Sequence, residues 1–148
     1  MLTFKEYFLE EKNVVGLIEF FNIDGLGKVA AKLDSGNGAF NVLHGEDIQE
    51  QGSKVFFRTV NGRTMLLPKH DEITINVGAG NTEHRPVVLL SFTIGDKEYV
   101  DVPFSIGNRS SNLYKILVGK EFIEKDLDAL IDVSQENIAD KGLEVEYD

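Results

Sequence analysis

The sequence predicts a mainly β fold, a closed barrel or a sandwich, on three observations. Nine short apolar runs recur along the 148 residues, each bounded by Gly, Asn, Asp or Pro. Two pairs of runs are joined by tight-turn sequences, Asn61-Gly62 and Gly95-Asp96-Lys97. A helical pattern is confined to Met1–Lys12 and to one turn at Lys120–Lys125.

The elements follow in order. Leu2, Phe4, Phe8 and Leu9 interleave with Lys5, Glu6, Glu10 and Glu11, so residues 1–13 read as a short amphipathic helix or a leader. Such a helix is shorter than the roughly 12–15 residues at which an isolated helix is even marginal, so it has to dock to persist. Val14–Phe21 is an apolar strand closed by Asn22-Ile23-Asp24-Gly25, and Lys28–Asp34 is a second that ends at Ser35-Gly36. Lys54–Val60 and Arg63–Pro68 flank Asn61-Gly62, a dipeptide suited to positive φ at both centres of a two-residue turn. Glu72–Val77 leads into the loop Gly78-Ala79-Gly80-Asn81. Arg85–Ile94 and Glu98–Phe104 form a second hairpin, Tyr114–Val118 runs into Gly119, and Ala129–Val133 is the last strand. The β domain is thus expected over residues 14–133, followed by an acidic C-terminal tail over 134–148.

Composition narrows the function classes. Apolar residues make 42% and charged residues 27%, a balance that supports a packed core. The net charge is −10, which argues against a general nucleic-acid surface, because phosphate binding needs clustered cations. From Lys120 to Asp148 there are 10 acidic and 3 basic residues, so the excess is concentrated at the C-terminal end. There is no cysteine, hence no disulfide, thiolate metal site or thiol nucleophile. No apolar run approaches the roughly 20 residues that span a bilayer. The expectation is a cytoplasmic protein without membrane or nucleic-acid partners.

The segment Ala30-Ala31-Lys32-Leu33-Asp34-Ser35-Gly36 is the candidate for chemistry. A strand delivers a carboxylate to a loop, a hydroxyl follows to brace it, and a glycine permits a sharp turn and leaves space beside the acid. Alone it is also a common turn sequence. The Asn61-Gly62 tip lies 27 residues after Asp34, and Ile116-Leu117-Val118-Gly119 supplies a late apolar-apolar-Gly pattern.

This set resembles the retropepsin-like aspartyl proteases, in which a strand ends in Asp-Thr/Ser-Gly, a glycine-tipped hairpin forms a flap, and an apolar-apolar-Gly segment packs beside the catalytic loop. Within that superfamily it is most similar to the ATP-dependent zinc protease (retropepsin-like) family of bacteria and phages. The shared features are Lys32-Leu33-Asp34-Ser35-Gly36, Leu43-His44, Arg85-Pro86-Val87, Asn108-Arg109-Ser110 and Leu117-Val118-Gly119. Asn37 stands where that family usually has alanine, and Lys120 where it has arginine. The resemblance implies a closed retropepsin-like barrel with a flap hairpin and one or two short helices. It implies an aspartic endopeptidase with Asp34, Ser35 and Gly36 as catalytic residues and Asn61, Gly62 and Arg109 on the substrate.

Aspartyl proteolysis needs two carboxylates sharing one proton. One Asp-Ser-Gly per chain therefore requires a homodimer, with an Asp34 from each subunit. The partners implied are a second copy of the chain and a peptide or protein substrate. Arg109 sits in a polar loop from which it can pair with Asp34, Glu46, Asp47 or a substrate carboxylate. His44, His70 and His84 lie in no ligand-spaced motif, so no metal site is expected. Gly25-x-Gly27 and Gly78-x-Gly80 complete no nucleotide loop, so no cofactor is expected. The N-terminal Leu9-Glu10-Glu11 also resembles the cleaved leaders of internal head proteins in tailed phages. The alternative function is thus a non-catalytic retropepsin-fold binding or virion-associated structural protein of a tailed phage.

Overall fold

The structure is a computed structural model that describes residues 13–36 and 40–139. The expected N-terminal helix or leader at Met1–Lys12, the Asn37-Gly38 part of the Asp34 loop, and residues 140–148 of the acidic tail lie outside the described residues.

Among the described residues eleven strands form the body: β1 (Asn13–Ile23), β2 (Gly27–Leu33), β3 (Val42–His44), β4 (Glu46–Gln51), β5 (Lys54–Arg58), β6 (Thr64–Pro68), β7 (Asp71–Gly78), β8 (Asn81–Ile94), β9 (Lys97–Gly107), β10 (Ile116–Val118) and β11 (Ala129–Glu136). Six of them close on themselves in the order β1-β2-β10-β3-β9-β8, because β8 pairs back onto β1 through Phe21↔Ile94 and Ile23↔Phe92. The mainly β expectation and the closed barrel are therefore both present. Closure satisfies the backbone of all six strands, where an open sheet leaves two bare edges. β11 adds in parallel to β1, β7 adds to β8, and β4-β5-β6 make a separate three-stranded sheet.

Alternation along the strands fills the interior. Ala31 and Leu33 of β2 face inward, as do Val88, Leu90, Phe92 and Ile94 of β8. Phe21 stacks on Phe92 at 4.8 Å, while Phe104 meets Phe92 edge-on at 5.9 Å. Phe122, from a short π-helical segment Phe122–Leu127, closes the aromatic cluster 5.7 Å from Phe92. The sequence places one helical turn at Lys120–Lys125. The helical conformation does begin at Lys120, turns π-helical from Phe122, and runs two residues past Lys125 to Leu127, where Asp128 in the left-handed region stops it.

Two strands escape the sequence reading. β3 is three residues long and wholly buried, too short for a period to show. β4 reads Glu-Asp-Ile-Gln-Glu-Gln with only Ile48 apolar, and the ladder to β5 makes it a strand. The acidic tail is also corrected at its start. β11 continues to Glu136, and the Asn137 amide donates to the Ile18 carbonyl at 2.7 Å, so residues 134–137 belong to the sheet.

Glu19 explains why the chain holds there. It is fully buried on β1, and its carboxylate accepts the amides of Gly16 (2.8 Å), Ile138 (3.1 Å) and Ala139 (3.2 Å). Three N–H donors replace the water this carboxylate has lost. Among the described residues no helix is long and apolar enough to cross a membrane.

Candidate active site

Asp34 is set by a crossover of strands. β10 lies between β2 and β3, parallel to the first (Val118↔Leu33) and antiparallel to the second (Ile116↔Leu43). The Asp34 amide donates to the Val118 carbonyl at 3.0 Å, and the next amide along, that of Gly119, donates to Asn41 Oδ1 at 3.0 Å. Asn41 is buried and its side-chain nitrogen reaches the Pro103 carbonyl at 3.2 Å, while its own carbonyl accepts both the amide and the hydroxyl of Ser105. Asn41 thus ties β10 to β9 immediately behind Asp34. The sequence alone gives no sign of it, because a lone asparagine between Phe40 and Val42 says nothing of its distant partners.

The Asp34 side chain is half-buried, with Oδ1 accepting the Gly36 amide at 3.1 Å, and among the described residues no lysine or arginine pairs with it. Ser35 and Gly36 are exposed. Gly36 does not occupy the left-handed region, and a Cβ there would stand 3.4 Å from Asp34 Oδ1, an ordinary contact. The expected conformational need for glycine is therefore absent; its contribution is the amide that orients the carboxyl group.

Asn61 and Gly62 form the expected turn. Both have positive φ, 57° and 70°, and the Arg63 amide closes on the Val60 carbonyl at 3.1 Å. The hairpin packs against its own barrel. Its arms carry Val55 and Phe57 into the core, and Val60 and Met65 are buried at its outer end, so it is folded onto the barrel. The tip overlooks a cleft of about 530 Å³ that is lined by Lys28, Ala30, His44, Asn61, Tyr114 and Lys115 among others. Asp34 is not among the lining residues; it lies four residues beyond Ala30, about 13 Å along an extended strand.

Arg109 departs from its expected partners. Its Nε donates to the Tyr114 carbonyl at 3.0 Å, inside its own loop. Glu46 and Asp47 are taken by Arg58, at 2.7 and 3.2 Å, because Arg58 stands directly opposite Glu46 in the β4–β5 ladder. Burial, with the neighbouring charge of Arg85, lowers the Arg109 pKa. Lys115 fastens the same loop, its ammonium donating to the carbonyls of Arg109, Ser110 and Asn112 at 2.7–3.0 Å.

His44 joins these parts. Its Nδ1 accepts the Arg109 amide at 2.9 Å, its carbonyl accepts the Thr59 hydroxyl at 2.6 Å, and Nε2 faces Glu46 at 3.6 Å. Among the described residues no group of three or more His, Asp or Glu side chains has the arrangement of a metal site.

The chain is similar to the crystal structure of Lpg0085 from Legionella pneumophila subsp. pneumophila str. Philadelphia 1, a protein of unknown function (DUF785). The two share 26% identity with a TM-score of 0.70, over 86% of this chain and 98% of that one. The likeness therefore takes in the barrel as a whole and carries no activity with it. No protein-family profile and no curated protein matches the chain.

Proposed function

We propose that the protein is an aspartic-type endopeptidase that works as a homodimer, with one Asp34 from each subunit sharing a proton and activating water. The observation that carries this reading is the bond from the Asp34 amide to Val118, which sets an Asp-Ser-Gly loop against an apolar-apolar-Gly segment at the end of a barrel strand. The ionised carboxylate removes a proton from water while its protonated twin donates to the scissile carbonyl. Ser35 braces the loop across the interface, and the Asn61-Gly62 hairpin with Arg109 contacts the peptide. Two chains of net charge −10 repel, so the dimer is weakest at low ionic strength.

A second reading, a non-catalytic binding or virion-associated protein on the same fold, is favoured by one feature. The hairpin is packed down on its own barrel, and its tip lines a cleft whose lining does not include Asp34.

The test is digestion of a broad peptide library by wild type and by Asp34→Asn, read by mass spectrometry from acidic to neutral pH, with sedimentation at high micromolar concentration. The enzyme reading expects cleavage and dimers from the wild type, and no cleavage with near-unchanged melting from the variant. A strictly monomeric wild type that cleaves nothing supports the second reading.

A further inference from the structure

We propose that His44 is a proton-operated latch that holds the Asn108–Tyr114 loop against the barrel and opens the rim of the 530 Å³ cleft when it is protonated. The latch stands on geometry independent of the chemistry at Asp34. An N–H donor facing Nδ1 at 2.9 Å requires a lone pair there, so the neutral ring carries its proton on Nε2. Adding a proton to Nδ1 sets two donors head to head, and one must withdraw.

The rest of the loop is built to move as a unit. Lys115 gathers three of its carbonyls, Asn112 N–H bonds the Arg109 carbonyl, and Ser110 N–H bonds Asn108 Oδ1, all within or beside the loop. Its two ends are pinned at the end of β3 and just after it, by the His44 amide on the Lys115 carbonyl and the Gly45 amide on the Gly107 carbonyl. Between those ends, among the described residues, the His44 ring is the hydrogen-bonded tie to a strand. Leu113, 83% exposed, and Tyr114 form the cleft rim on this loop, so release of Arg109 moves the rim.

The groups around the ring set the direction. Glu46 of β4, itself held by Arg58 of β5, attracts the imidazolium, while Lys115 and Arg109 of the loop and Arg58 repel it. Burial is the largest influence and disfavours the charged ring, so with these charges the pKa lies below the ordinary 6.5. The latch is therefore shut at neutral pH and opens in acid.

Amide hydrogen exchange of the full chain tests this, with ¹⁵N detection of the His44 ring nitrogens. The expected result is a bare Nδ1 at neutral pH, and a loss of at least about tenfold in Arg109 amide protection, beyond the intrinsic pH effect, as His44 titrates. Protection of the Gly45 amide stays constant over the same range. His44→Asn, which offers a non-titrating carbonyl acceptor, removes that pH dependence. The proposal is overturned by a protonated Nδ1 at neutral pH, by Arg109 protection indifferent to the titration, or by Gly45 and Arg109 losing protection together. If His44→Asn does not fold, the wild-type ring and amide measurements decide alone.

Discussion

The Asp34 amide is bonded to the Val118 carbonyl at 3.0 Å. Two stretches far apart in sequence are joined at the point where the carboxyl-bearing loop leaves the barrel. The register Val118↔Leu33 makes the bond a continuation of the β2–β10 pairing, so the position of Asp34 is fixed by barrel closure and not by its own short loop.

Asn41 is predicted to be the support of that arrangement. Asn41→Ala strips the Gly119 amide of its acceptor and leaves it buried, which costs about 1–3 kcal/mol. Urea unfolding measures the cost, and peptide hydrolysis, where present, falls with it because Val118 and Gly119 lose their tie to β9.

Glu19 is predicted to anchor the segment after β11. Glu19→Gln keeps the length but replaces one carboxylate oxygen by an NH₂ donor, so at least one of the three backbone N–H groups loses its acceptor and faces another donor. The expected loss is about 2–3 kcal/mol, with exchange of the Ile138 and Ala139 amides rising well before the barrel amides do. Unchanged exchange at those two amides contradicts the anchoring role.

Gly45 and Gly16 are predicted to resist substitution for steric reasons. A Cβ at Gly45 runs into Ile106 Cγ2 and crowds Phe57, and one at Gly16 runs into the Gln135 carbonyl of β11. Gly45→Ala costs about 1–3 kcal/mol by forcing core side chains aside, and Gly16→Ala detaches β11 from β1. Denaturant midpoints report the first, and protection of the β11 amides reports the second.

Stability is predicted to fall with pH below about 6.5. Burial foremost holds the folded His44 pKa down, with Lys115, Arg109 and Arg58 adding to it against Glu46. As pH drops through 6.5 the unfolded imidazole binds a proton while the folded one resists. The unfolded state then carries more protons, so ΔG of unfolding decreases as pH falls. The loss levels off once the folded group titrates too. Urea midpoints between about pH 7.5 and 5 measure this, and His44→Asn flattens the His44 contribution.

Much of the architecture is legible because period-2 alternation and turn residues are local signals. The Asn61-Gly62 turn appears with both centres at positive φ, as that dipeptide demands. Of β8 the Arg85–Ile94 part is legible as an apolar run, whereas its mostly exposed start at Asn81–His84, where Asn81 reads as loop, is a strand only through its pairing with β7. What is not legible depends on distant partners. β4 has one apolar residue and is a strand only because β5 lies beside it. Glu19 reads as a polar position in an apolar strand, and nothing local says that Ile138 and Ala139 will supply its hydrogen bonds. At the candidate site the Asp34 loop is visible as a motif, whereas Asn41 and His44 matter through contacts made across 78 and 65 residues. Arg109 illustrates the converse: a cation in a polar loop suggests a carboxylate partner, yet the cross-strand position of Arg58 claims those acids first.

The requirement for two Asp34 carboxylates is tested most directly by mixing wild-type and Asp34→Asn chains at constant total concentration, letting subunits exchange, and measuring the initial rate on a cleaved library peptide. The account predicts a rate that follows the square of the wild-type fraction, about a quarter of full activity in an equal mixture. A rate that falls in simple proportion, to about half, means that each chain acts alone and contradicts it.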